Sequence, residues 1–170
     1  MRLVVGTFLT LDGVMQAPGG PEEDRSGGFA HGGWLVPHFD DIGGQVMDEW
    51  IGRCDGLLLG RKTYEIFAAY WPQVTDDNPI ARKFNSVRKH VVSRTLDRVD
   101  WNNSTLVKGD AVEAIRRLKA QAGNELQVHG SGDLIQTLLK HNLIDEFRLW
   151  FFPVLLGTGK RLFANGTVPA

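Results

Sequence analysis

Residues 125–139 read ELQVHGSGDLIQTLL. Leu126 to His129 has the look of a short strand, and Leu134, Ile135, Leu138 and Leu139 recur at helical spacing. Between them lies Gly130-Ser131-Gly132. A strand that turns on glycines straight into a helix leaves the helix's first N–H groups pointing outward. The positive end of the helix dipole stands behind them, which suits a phosphate. Glycine also lets a ligand approach the backbone closely. Gly-Ser-Gly is equally an ordinary turn, so its meaning depends on what the rest of the chain supplies.

Working outward, strands and helices alternate along the chain. Arg2 to Thr10 is β-rich and largely apolar, the signature of a strand buried on both faces. Residues 13–38 are rich in glycine, with Pro18, Pro21 and a Glu22-Glu23-Asp24 run, and read as a long irregular loop of functional type. Asp40 and Asp41 offer an N-cap, with Ile42, Val46, Met47, Trp50 and Ile51 on one helical face. Gly56 to Leu59 is a short buried strand, and Gly60-Arg61-Lys62-Thr63 is a second strand-to-helix turn. Asp76 to Pro79 reads as loop and Ile80 to Phe84 as a further helical turn. Lys89 to Ser93 and Ser104 to Val107 are strands. Asp110 and Glu113 have capping-box spacing for a helix running to about Ala122. Ile144 to Val154 is the longest strand, followed by Gly157-Thr158-Gly159. The pattern predicts an α/β fold with a mainly parallel sheet covered on both faces. No repeat or linker interrupts it, so a single domain over 1–170 is expected.

Composition narrows the function. The 170 residues carry a formal net charge of −1, with 42% hydrophobic and 23% charged residues. That balance argues against a nucleic-acid or anionic-membrane partner. No apolar run approaches the roughly 20 residues needed to span a bilayer. Cys54, the single cysteine, has no disulfide partner in the chain, which fits a reducing cytoplasm; among apolar neighbours it reads as an inert buried thiol. No Cys/His cluster has metal-ligand spacing, so no metal is expected.

Three predicted strand ends carry matched chemistry, and open α/β sheets bind ligands there. The first bears Gly60, Arg61, Lys62 and Thr63; the second Ser93 and Arg94; the third Gly130, Ser131 and Gly132. Each cation alone would pass for a solvated loop residue. Their coincidence suggests a grip on a dinucleotide: a turn for the pyrophosphate, and Arg61, Ser93 and Arg94 for an extra ribose phosphate. G-x-G-x-x-G, G-x-x-x-x-G-K-[ST] and G-x-S-x-G are all missing, which argues against a Rossmann site, a P-loop and an esterase-type serine. His129 and Ser131 are close in sequence but need not face each other.

Four segments together resemble the dihydrofolate reductase-like superfamily, on the branch similar to the reductase domain of the bifunctional riboflavin-biosynthesis deaminase-reductase. They are TLDGVMQAPGG at 10–20, DGLLLGRKTYEIF at 55–67, KHVVSRTL at 89–96 and ELQVHGSGDLIQTLLKHNLIDEFRLWFFPVLLGTGKRLF at 125–163. The resemblance implies a mixed, mostly parallel sheet around a nucleotide cleft and an NADPH-dependent reductase acting on a small polar heterocycle, such as a ribosylaminopyrimidine. Dihydrofolate reduction and non-catalytic NADPH sensing are the alternatives. By motif position, Gly60, Arg61, Lys62 and Thr63 would hold the adenosine-side phosphates. Ser93 and Arg94 would read the 2′-phosphate, and Gly130, Ser131, Gly132 and Asp133 would wrap the pyrophosphate. Asp12 would border nicotinamide and substrate as the polar catalytic group, with Asp41 and Asp48 as further candidates, and the 13–38 loop would close over the substrate. Asp12 also reads as a plain turn-former before Gly13. No zinc-deaminase segment precedes the reductase pattern. The resemblance implies a closing hairpin past Arg161-Leu162-Phe163, whereas the sequence stops at Ala170: either it is shortened there or the sheet is completed otherwise, as by a neighbouring subunit, and a homodimer is expected.

Overall fold

The computed structural model describes residues 1–75, 77–163 and 165–168. The loop expected from Asp76 and the missing closing hairpin expected near Ala170 fall partly or wholly on residues outside that set.

Among the described residues six strands form one sheet in the order β4-β3-β2-β5-β1-β6. They are β1 (Arg2–Thr10), β2 (Cys54–Gly60), β3 (Arg88–Val92), β4 (Ser104–Val107), β5 (Glu125–His129) and β6 (Glu146–Phe152). All five neighbouring pairs are parallel. The antiparallel element is an isolated bridge between Val14 and Arg161, outside the strands. Among the described residues five α-helices connect or cover the sheet: α1 (Asp41–Gly52), α2 (Arg61–Tyr70), α3 (Pro79–Ser86), α4 (Ala111–Lys119) and α5 (Gly132–Lys140).

The central strands are apolar in unbroken runs because helices cover both sides. Leu57, Leu58 and Leu59 are all fully buried, yet they alternate between two cores. Leu58 joins Leu3, Val5, Leu126 and Val128 under α4 and α5, where Ile115, Ile135 and Leu138 have no exposed surface. Leu57 and Leu59 join Val91 under α1, α2 and α3, against Ile51, Tyr64 and Phe84. Each fully buried leucine or isoleucine contributes about 1.5–3 kcal/mol of transfer free energy, so these stripes fix which face each helix occupies.

Several local expectations need correction. Ile42 is 70% exposed, because the stripe of α1 that packs inward is carried by Met47, Trp50 and Ile51 instead. Asp110 caps α4 by accepting from the Val112 and Glu113 N–H groups, but the Glu113 carboxylate turns forward to Arg116. A salt bridge one turn ahead replaces the reciprocal half of the capping box. The 80–84 turn is a full helix from Pro79, opened by Asn78, whose side chain accepts from the Ala81 N–H. The long strand is shorter than Ile144–Val154, because the Asp145 N–H bonds the Leu3 carbonyl and the pairing with β1 starts at Glu146.

The 13–38 segment is a packed wall rather than a free lid. Val14, Ala17, Phe29, Trp34 and Leu35 are buried with Phe152 in a third core. Trp34 Nε1 donates to the Gln16 carbonyl at 2.9 Å. The Met15 N–H bonds the Lys160 carbonyl, the Lys160 N–H bonds Gln16 Oε1 at 3.0 Å, and the Lys160 ammonium pairs with Asp24 and Ser26. Two loops that sequence leaves separate are thereby joined.

Candidate functional site

The chain leaves β2 toward β3 on one side and leaves β5 toward β6 on the other, although β2 and β5 are neighbours. This divergence is the switch point at which doubly wound sheets open a crevice. The helices that follow, α2 and α5, both start there, at Arg61 and Gly132. Neither has a side-chain cap on its first N–H groups. Two positive helix ends therefore face one crevice, the arrangement that holds a pyrophosphate.

Ser131 ties the two turns together. Its hydroxyl accepts from the Gly60 N–H at 3.0 Å and donates to Thr63 Oγ1 at 2.8 Å. To do so it adopts a left-handed backbone (φ 68°), directly after Gly130 at φ 66°. A left-handed serine costs roughly 1–2 kcal/mol, and the cross-link offsets it. The hydroxyl is fully engaged and the His129 ring bonds Gln127, so no serine–histidine nucleophile forms.

The crevice continues as a cleft of about 2340 Å³ along the strand ends. Ligand pockets for drug-sized molecules run roughly 300–1,000 Å³, so this one has room for a dinucleotide with a second molecule. All ten nucleotide candidates line it: Gly60, Arg61, Lys62, Thr63, Ser93, Arg94, Gly130, Ser131, Gly132 and Asp133. Arg61 pairs with Glu65 at 3.3 Å one turn on. Ser93 is spent on a turn, accepting from the Thr95 and Leu96 N–H groups. Lys62 and Arg94 are exposed and have no partner among the described residues, which leaves two cations available at the rim.

The three catalytic candidates fare differently. None of Asp12, Asp41 and Asp48 lines the cleft. Asp12 accepts from Thr10 Oγ1 at 2.6 Å, from the Gly157 N–H at 2.8 Å and from the Leu156 N–H at 3.3 Å, and it faces Arg161 at 3.5 Å. These bonds, led by that from Thr10, pull its pKa down to about 2. It is a clamp for the 156–161 turn and a poor proton donor. Asp41 and Asp48 are exposed on α1. The carboxylates that do line the cleft are Glu22, Glu23, Asp24 and Asp133. Of these, Glu23 has a raised pKa, because burial outweighs the Gly19 and Gly20 N–H groups that it accepts from. Asp24 is held down to about 2: burial would raise it, but its bonds to Lys160 and Ser26 prevail.

Sequence reading missed the floor of the cleft. Glu125, Gln127 and His129 of β5 share one face of the sheet with Arg148 and Trp150 of β6, across Gly6 of β1. Arg148 grips Glu125 with two bonds of 2.6 and 2.9 Å, both side chains almost wholly buried. Its guanidinium lies 5.3 Å from the Trp50 ring centre. Gln127 Nε2 donates to Glu125 Oε2 and to the Trp50 carbonyl, both at 2.7 Å, while Gln127 Oε1 meets His129 Nε2 at 3.0 Å. Burial, then the nearby Arg148 charge, pushes His129 down to about 4, so the imidazole is neutral. The sequence signal was a period-two polar stripe, Glu125-Gln127-His129, inside an otherwise apolar strand.

The cleft can hold an anionic dinucleotide. Besides the two open helix ends, Thr7 Oγ1 lines it, is buried and has no hydrogen-bond partner among the described residues. An orphaned buried hydroxyl costs about 1–3 kcal/mol unless a ligand satisfies it. Among the described residues no group of histidine, cysteine or acidic side chains could hold a metal ion, and no helix is long and apolar enough to cross a membrane.

Comparison with known proteins fits this geometry. The family model of the RibD C-terminal domain matches residues 2–170, so the chain belongs to that reductase-like family. The uncharacterized protein YyaP of Bacillus subtilis is 28% identical over 167 residues, covering 96% of this chain and 81% of that protein. A candidate riboflavin biosynthesis protein from Shewanella sp. PV-4 is 31% identical, with a TM-score of 0.68 over 97% of this chain and 84% of the other. Dihydrofolate reductase from Enterococcus faecalis, solved with NADP(H), shares the fold at 14% identity and a TM-score of 0.59, over 96% of this chain and 77% of the other.

Proposed function

We propose that this member of the RibD C-terminal domain family is an NADPH-dependent reductase of a small planar heterocycle, of the ribosylaminopyrimidine type handled in riboflavin biosynthesis. The observation that carries the reading is the pair of uncapped helix N-termini diverging at the β2/β5 switch point, opening onto a cleft with a polar floor. NADPH, when bound, supplies the hydride. The residues of this chain do the rest. Gly60 to Thr63 and Gly130 to Asp133 hold the phosphates, and Arg94 answers the 2′-phosphate at the rim. The β5–β6 floor orients the acceptor, and the 13–38 wall keeps water from one side. Glu23, whose burial raises its proton affinity, is the group suited to deliver a proton.

A second reading is an NADPH binder without turnover. It draws on the same cleft and on the absence of Asp12, Asp41 and Asp48 from its lining. Titration with NADPH and NADH, followed by assays with dihydrofolate and a ribosylaminopyrimidine, separates the readings. Absence of nucleotide binding refutes both; NADPH binding without turnover on either acceptor selects the second. We further propose a cytoplasmic homodimer. Phe151, Leu155 and Phe163 are 60%, 72% and 49% exposed on or just after the edge strand β6, and a second copy would cover them. A reducing compartment suits the lone buried thiol of Cys54, which burial pushes up to about 12.

A further inference from the structure

We propose that His129 recognises the substrate ring by accepting a hydrogen bond at Nδ1 from a ring or exocyclic N–H or O–H, in the slot that Gly6 leaves open. The class of ring, an aminouracil-type heterocycle, rests on the reductase reading. The identity of the acceptor atom follows from the hydrogen-bond pattern alone.

The pattern begins at Arg148. Two of its N–H groups donate to the two Glu125 oxygens, so that side chain is met as an acceptor. The Trp50 carbonyl is an acceptor by nature. Gln127 reaches both from one end of its amide, which must be the NH2 end. Its carbonyl end is left for His129 Nε2, so Nε2 carries the proton. A neutral imidazole has one N–H, and Nδ1 is thus a bare lone pair. It has no partner among the described residues.

The space beside Nδ1 is reserved by a glycine. Gly6 stands in register with His129, and a Cβ built on it would lie 3.5 Å from Nδ1 and 3.6 Å from Cε1. Gly6, His129, Phe84 and Trp150 all line the cleft. The slot therefore presents one acceptor to a cleft that also has aromatic walls, which suits a ligand with a donor on its edge. The ring is held from behind as well, with its centre 5.2 Å from that of Phe84. Arg148 also acts as a sentinel: its charge opposes protonation of the imidazole, which would replace the acceptor by a donor.

Two substitutions and one spectrum test this. In Gly6→Ala the new methyl makes only ordinary van der Waals contact, at a strand position with no positive φ, so the fold persists while Nδ1 is masked. In His129→Phe the ring shape remains and the acceptor is lost. Binding of 5,6-diaminouracil and of its ring N-methylated analogue is measured by calorimetry, alongside NADPH. Sites built around a hydrogen bond commonly discriminate by factors of at least ~10. Each variant should raise the aminouracil Kd at least ~10-fold more than the NADPH Kd, and the methylated ligand should show the same loss against the wild-type protein. In the free protein, ¹H–¹⁵N spectra should show the Nε2–H tautomer, with the Nδ1 resonance moving upfield when the aminouracil binds. A Nδ1–H tautomer, equal aminouracil affinity in wild type and both variants, or no aminouracil binding at all overturns the proposal. Failure of the reductase reading is seen separately, as absence of NADPH binding to the wild-type protein, and it removes the substrate class with it.

Discussion

The buried pair Arg148–Glu125 offers the most demanding test of how the cleft floor is built. Glu125 is 2% exposed and Arg148 7%, and they lie on β5 and β6 with β1 between them. Replacing Glu125 by Leu leaves Arg148 with Glu146 at 2.5 Å and the Trp50 face, but removes its bidentate partner. Replacing Arg148 by Met leaves the Glu125 charge with Gln127 as its remaining side-chain donor. Stranding one member of a buried ion pair costs about 3–5 kcal/mol, whereas an apolar pair of similar volume is neutral or even stabilising. Each single variant should therefore lose about 3–5 kcal/mol, while Glu125→Leu with Arg148→Met should recover most of it. Urea unfolding reads this directly. With an m-value of about 2 kcal/mol/M, each single variant shifts its midpoint down by roughly 2 M. Single-variant losses below about 1 kcal/mol that add in the double variant would refute the reasoning, because they would mean that water reaches the pair and screens it. The same variants report on the imidazole: without Arg148 one of the two causes of His129's low pKa is gone, and its NMR titration should move upward.

Further expectations concern the cleft and the charges around it. Arg94→Ala should weaken NADPH about 10-fold while leaving NADH nearly unchanged, since one charge-assisted phosphate contact is worth on the order of 1–2 kcal/mol; equal loss for both nucleotides removes its 2′-phosphate role. Ser131→Ala keeps the left-handed backbone but loses both bonds to the β2–α2 turn, and should cost about 1–3 kcal/mol in chemical denaturation, with weaker NADPH binding. His129 is depressed from 6.5 to about 4, so the unfolded chain binds the extra proton between those values and stability falls as pH drops from about 6.5 to 4, by about 3 kcal/mol. A thermal-unfolding pH series on wild type and His129→Phe isolates the His129 part of that slope, which should disappear in the variant, while the part from His90, also lowered by burial, remains. Lys89 is fully buried, with its ammonium donating to the Asn85, Val87 and Asn102 carbonyls and lying 4.3 Å over Trp101. Lys89→Met should cost roughly 2–4 kcal/mol in urea without changing NADPH affinity, because the residue lies away from the cleft lining.

What the sequence determined by itself is local. Apolar runs at 2–10 and 56–59 announced buried strands, 126–129 read as a further short strand, and the 3.6-residue spacing of Leu134, Ile135, Leu138 and Leu139 announced α5. Gly60 and Gly130 to Gly132 marked the strand-to-helix turns, because phosphate-type turns need open N–H groups and little side chain. All ten nucleotide-side candidates stand at the cleft, eight of them on those two turns and Ser93 and Arg94 just after β3. Only the tertiary structure shows what surrounds the substrate-side candidates. Asp12 looked like a catalytic acid from its neighbours in sequence, but its partners Leu156, Gly157 and Arg161 come from the far end of the chain. Arg148 of β6 and Glu125 of β5 become a pair across β1, which comes from the start of the chain and lies between them. Propensity and periodicity act over a few residues, whereas a hydrogen bond between strands depends on the order in which the sheet is laid down. That order is set by the packing of the whole chain.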